Sequence, residues 1–83
     1  GNLNSAIESL LRASEVISSD ALIFFNLARY QSLSGDKPHA LDHLAKALDL
    51  EPRFRDRLET EPDFEPLHAD PDFQALVRVE QRG

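Results

Sequence analysis

No cysteine occurs in this chain of 83 residues. Disulfides and cysteine-ligated metal are thereby excluded, and the composition agrees with a reducing compartment. Glycine is nearly as scarce, with one at each end and Gly35 between them, so no glycine-rich loop exists to cradle a phosphate. No apolar run approaches the roughly 20 residues of a membrane span. The first residues also lack the basic stretch followed by an apolar one that marks a secretory signal. Together these absences predict a cytoplasmic protein without a membrane anchor. Basic residues are in the minority, 9 Lys and Arg against 15 Asp and Glu, for a net charge of −6. A phosphate backbone would be repelled, so nucleic acid is not an expected partner. Neither a serine or cysteine nucleophile signature nor an HExxH sequence is present, and neither enzymatic activity nor a cofactor is expected.

Hydrophobic residues make up 41% and charged residues 29% of the chain, proportions of a folded domain and not of a disordered tail. A single domain this short buries only about 60 to 65% of its unfolded surface, so its core must be thin. Charge is unevenly spread. The stretch RFRDR at 53–57 is locally basic, whereas residues 59–72 hold Glu59, Glu61, Asp63, Glu65, Asp70 and Asp72 with no Lys or Arg. Such an acidic face reads as solvated surface.

The segment GDKPHALDHLAKALDLEP, residues 35–52, has a weaker echo in GNLNSAIESLLRASEVISS at the start of the chain. Laying Gly1 under Gly35 pairs Ala6 with Ala40, Ile7 with Leu41, Leu10 with Leu44, Ala13 with Ala47 and Val16 with Leu50, a fixed offset of 34 residues. Leu3, Ile7, Leu10, Leu11 and Val16 fall on a helical period and predict a helix over roughly 3–17. Ser18, Ser19 and Asp20 offer N-caps for a second helix in which Ile23, Phe24, Leu27, Ala28 and Leu33 recur at helical spacing. Gly35 can supply the left-handed residue that ends it, Asp36 can cap a third helix, and Pro38 is tolerated in that helix's first turn. The third helix runs to about residue 50 and stops before Pro52. The short Gly-Asp turn predicts an antiparallel pair, with Ala28, Ala40 and Ala47 leaving room for close approach and Phe24, Leu27, Leu44 and Leu48 filling the space between.

These residues resemble the tetratricopeptide repeat. Residues 21–52 are similar to its helix-turn-helix unit: an aromatic at Phe24, the Asn26 to Ala28 run, the Gly35-Asp36 turn, then Ala40, Leu44, Ala47 and Pro52 at the second helix's small, large, small and terminal proline places. Gln31 departs from the family's frequent tyrosine and implies a looser contact there. Residues 1–18 resemble the second helix of a preceding repeat, 20–52 a complete repeat, and 53–79 a degenerate capping repeat beginning near Arg55. In the cap, PDF occurs at 62–64 and again at 71–73. Phe64 with Leu67, and Phe73 with Leu76, are spaced to present one aromatic and one leucine apiece from two short helical turns. Endings of this kind look similar to those of many bacterial repeat proteins. The resemblance implies an all-α solenoid fragment from the C-terminal end of a longer array.

It also implies where a partner would bind. The family's concave groove, lined mainly by first helices, takes peptides or partner helices, and the corresponding places here are Leu22, Phe25, Asn26, Arg29 and Leu33. With Phe24 in the family's core aromatic place, Phe25 is expected to face the groove or a preceding helix. Asn26 occupies a position used in some members to clamp a C-terminal carboxylate, but Glu59 and Asp63 stand where those members have basic residues, which argues against a clamp. Arg29 is expected to pair with Glu59. His39 and His43 are four apart and, with Asp42 or His68, have metal-ligand spacing, yet they read as ordinary histidines on the outward side of the third helix. The acidic cap lacks the calcium-loop pattern. A protein-interaction module is thus the first functional expectation. A purely structural cap and a homodimerising segment, pairing through the first helix, are the alternatives.

Overall fold

The computed structural model describes residues 2–78, all of whose regular elements are helical. Helix α1 spans Asn2–Val16, α2 Ala21–Leu33 and α3 Lys37–Leu50. Two 3₁₀ helices, Pro52–Arg57 and Pro62–Leu67, lead to α4, Pro71–Arg78. Residue 79, the last of the expected cap, lies outside the described residues.

Each boundary has a local cause. Asp20 caps α2 by accepting a hydrogen bond from the Leu22 amide at 3.0 Å, satisfying a donor that the first turn leaves free. At the other end the Gly35 amide donates to the Ser32 carbonyl (3.1 Å) and the Asp36 amide to that of Gln31 (2.9 Å). This crossed pair is a Schellman motif, and it requires a left-handed residue, which Gly35 provides at φ 85°. Asp36 then caps α3, its Oδ2 lying 2.8 Å from His39 Nδ1. Asp70 does two jobs: its Oδ1 accepts from the amides of Asp72 (2.8 Å) and Phe73 (3.3 Å), while its Oδ2 meets Lys37 Nζ at 2.7 Å. The start of α4 is thereby tied to the start of α3.

The core lies between α2, α3 and the segment that follows them. Leu27, Ala28, Ala40, Leu44 and Ala47 are wholly buried, the alanines letting the antiparallel pair approach closely. α1 packs on α2 alone among the major contacts. Ile7 and Leu10 meet the core, but no α1 residue is fully buried. Val16, placed by periodicity with the apolar set, stands in the last turn of α1 and is 83% exposed. On the opposite side Phe64, Leu67 and Phe73 are buried as the PDF spacing predicts, with Leu76 partly covered. Rings link these pieces into one run: Phe54 to Phe25 (4.8 Å), Phe25 to Phe64 edge-on (5.5 Å), and Phe64 to Phe73 (5.9 Å). Pairs at such distances stabilise by about 0.5 to 1.5 kcal/mol beyond simple burial.

Candidate docking face on the second helix

All five residues named for partner contact lie on α2, but they have different surroundings. Phe25 is wholly buried and packs on Phe54 and Phe64, so its ring faces neither a groove nor a preceding helix. The reason is the path of the chain after Pro52, which lays the two 3₁₀ helices over this side of α2. Asn26 and Arg29 are half-buried and joined to each other, Arg29 Nη1 donating to Asn26 Oδ1 at 2.9 Å. Arg29 Nε donates to Asp63 Oδ2 at 2.9 Å and lies 3.7 Å from Glu61 Oε2. Asp63 and Glu61 are its acidic partners, and not the expected Glu59, because the 3₁₀ helix at Pro62–Leu67 brings them across α2. Ser32 Oγ strengthens the same junction by donating to the Asp63 carbonyl at 2.8 Å.

Leu22 and Leu33 remain the exposed apolar members, at 48% and 45%. They stand eleven residues apart, roughly 16 Å along a helix, and so belong to opposite ends of α2. The Leu22 end adjoins a depression. It is an open hollow of about 530 Å³ lined by Leu22, Leu50 and Phe54, with Arg53 and Arg57 and the carboxylates Asp20 and Glu51. Leu50 is 40% exposed. Leu50, Phe54 and Arg57 were not legible as site residues from helical spacing, although the RFRDR stretch marked the place by its charge.

The electrostatics of this hollow are set by short contacts. Glu51 accepts from the Arg53 amide (3.2 Å) and from Arg53 Nε (3.0 Å), and these bonds hold the Glu51 carboxyl below its usual pKa. Arg57 lies with its guanidinium carbon 4.8 Å from the centre of the Phe25 ring and 5.8 Å from that of Phe54. The hollow therefore brings the apolar Leu22, Leu50 and Phe54 together with two cations, Arg53 and Arg57, and two carboxylates, Asp20 and Glu51.

The histidines are not a pair. His39 is exposed and engaged with Asp36, whereas His43 is half-buried, with Nδ1 2.8 Å from Gln31 Oε1 and its ring stacked 6.0 Å from Phe24. His43 is thus not on the outward side as its position in the repeat suggested. Gln31, expected to mark a loose contact, is buried at 4% exposure by this bond. Burial lowers the His43 pKa below its ordinary value of 6.5. Among the described residues no group of three or more His, Asp or Glu converges as metal ligands, and no helix is long and apolar enough to cross a membrane. No family model, curated protein or solved structure matches the chain.

Proposed function

We propose that this chain is a protein-interaction module of tetratricopeptide type that holds a peptide or helix of a partner protein on α2, at the Leu22 end. The observation that carries the reading is the hollow in which exposed Leu22 and Leu50 flank Phe54. Apolar side chains open to solvent around a concave floor gain most from covering by a partner's side chain. The repeat-like arrangement is supported by the α2 and α3 pair closed at Gly35, by α1 lying on α2 where a preceding second helix would lie, and by buried Ala28, Ala40 and Ala47. Within this reading residues 53–79 close the stack, and binding, not catalysis, is the activity. A cytoplasmic setting agrees with a chain free of cysteine. The net charge of −6 argues against nucleic acid as the partner.

The test is selection of peptides from a random display library, followed by titration against variants. Leu22→Ser and Leu50→Ser, both at exposed sites, are expected to weaken selected peptides about tenfold or more, and Leu33→Ser to leave them unchanged. Peptides indifferent to Leu22 and Leu50 would remove the site from this end of α2. A second reading, pairing of two copies through α1, is favoured by Leu11 at 37% and Ile17 at 50% exposure. Sedimentation equilibrium over a concentration series decides it, a concentration-independent monomer ruling it out.

A further inference from the structure

One cation in the hollow is fixed in place by rings. The Arg57 guanidinium lies against both Phe25 and Phe54, and its side chain is 50% exposed. Stacking of this sort orients the planar fork before any ligand arrives, so little side-chain freedom is lost when one binds. Its one ion pair among the described residues is a contact of 3.5 Å from Nη2 to Glu61 Oε1, and the same carboxylate reaches Arg29 through its other oxygen. A guanidinium carries five N–H donors, and most of this one's are open to a ligand.

The other charged groups lining the hollow are already engaged. The Asp20 carboxylate caps α2 at the Leu22 amide, and Glu51 and Arg53 bond to each other. Arg53 nevertheless leaves 87% of its side chain in solvent. Charge over the whole chain adds a direction. Arg53 and Arg57 balance the carboxylates Asp20 and Glu51 in the hollow's lining, whereas residues 59–72 are acidic without a single Lys or Arg. An acidic segment is turned away from the cap and accepted at this end of α2, and a basic segment experiences the reverse.

We infer that the hollow recognises an acidic, apolar peptide segment of a partner protein. A leucine or phenylalanine of that segment seats between Leu22 and Leu50 over Phe54, and a neighbouring carboxylate takes paired hydrogen bonds from Arg57. The inference rests on the docking reading above and adds the chemistry of the occupant.

The experiment is an amide-shift titration of the full chain with two labelled peptides of about ten residues. One alternates leucine or phenylalanine with glutamate, and the other has glutamine at every glutamate. The glutamate peptide is expected to shift the amides of Leu22, Leu50, Phe54 and Arg57 and to bind about tenfold tighter than the glutamine peptide. That advantage should shrink as salt rises and vanish in Arg57→Gln. Because Arg57 also packs on Phe25, Arg57→Lys, which keeps the charge and the stem, serves as the folded control and should retain part of the preference. Equal affinity of the two peptides at the same amides overturns the inference while leaving the docking reading in place. Shifts confined to the cap or to α1 overturn it and relocate the site, and no shifts from either peptide overturn both.

Discussion

Phe25 is the residue on which sequence spacing and packing disagree most, and its truncation separates a ligand-facing ring from a structural one. The ring is wholly buried, in contact with Phe54 and Phe64 and covered by the Arg57 guanidinium. Truncating a core phenylalanine to alanine costs about 3 to 5 kcal/mol. Two aromatic neighbours and a stacked cation place Phe25→Ala toward the upper end of that range. A domain of this length has a total stability of roughly 4 to 12 kcal/mol, so the variant loses a third of it at the least and unfolds at the most. Followed by far-UV circular dichroism in urea, with a slope of about 1 kcal/mol per molar, the midpoint should fall by about 4 to 5 M or leave no folded baseline. Phe25→Leu, which keeps an apolar body, should lose about 1 to 2 kcal/mol. A Phe25→Ala midpoint within about 1 M of the parent, accompanied by lost peptide binding, would refute the reasoning and return the ring to the partner-binding surface.

Two further outcomes test the packing. The His43 pKa is lowered by burial, so its contribution to stability is complete above the ordinary value of 6.5 and is lost as pH falls through that value toward the depressed one. The thermal midpoint should therefore drop between about pH 7 and pH 5, and His43→Gln should flatten that dependence; an unchanged slope in the variant would assign the drop to other groups. Asp63→Ala removes the carboxylate at Arg29 but leaves the Ser32 bond to the main chain, and with both partners about a quarter exposed the cost is about 1 kcal/mol. Amide exchange should quicken in Pro62–Leu67 with little change in α2 and α3, whereas uniform quickening would mean that the cap and the helix pair open as one unit.

Helix ends were legible because each rests on a few adjacent residues. Asp20 and Asp36 act through carboxylates that reach amides two or three residues on, Gly35 and Pro52 through their own backbone geometry, and α2 runs over Ala21–Leu33, as its cap and terminal glycine predict. The apolar partners of the PDF repeats were legible for a similar reason, since spacing within one short turn is local. Neighbours distant in sequence were not. Phe24 and Phe25 are adjacent on one helix, and nothing in their spacing says which ring the chain beyond Pro52 will cover. The partner of Arg29 was missed because a 3₁₀ helix, with three residues per turn, changes which acidic residue faces back toward α2. Gln31 and His43 meet across the helix pair twelve residues apart, a pairing that leaves no periodic trace.

The capped side and the α1 side are unlike surfaces, which gives the molecule a polarity. Phe64 and Phe73 turn inward and the cap presents acidic residues outward, while α1 keeps Leu11 accessible on its outer side. Head-to-tail growth requires two complementary faces on every copy, and the acidic surface of residues 59–72 is not complementary to the apolar side of α1. A contact of α1 with α1 is self-complementary, each copy giving the same residues to the other, and a two-fold contact of that kind closes on itself. Association of α1 with α1 therefore ends at pairs, even at high concentration, and does not continue into fibres.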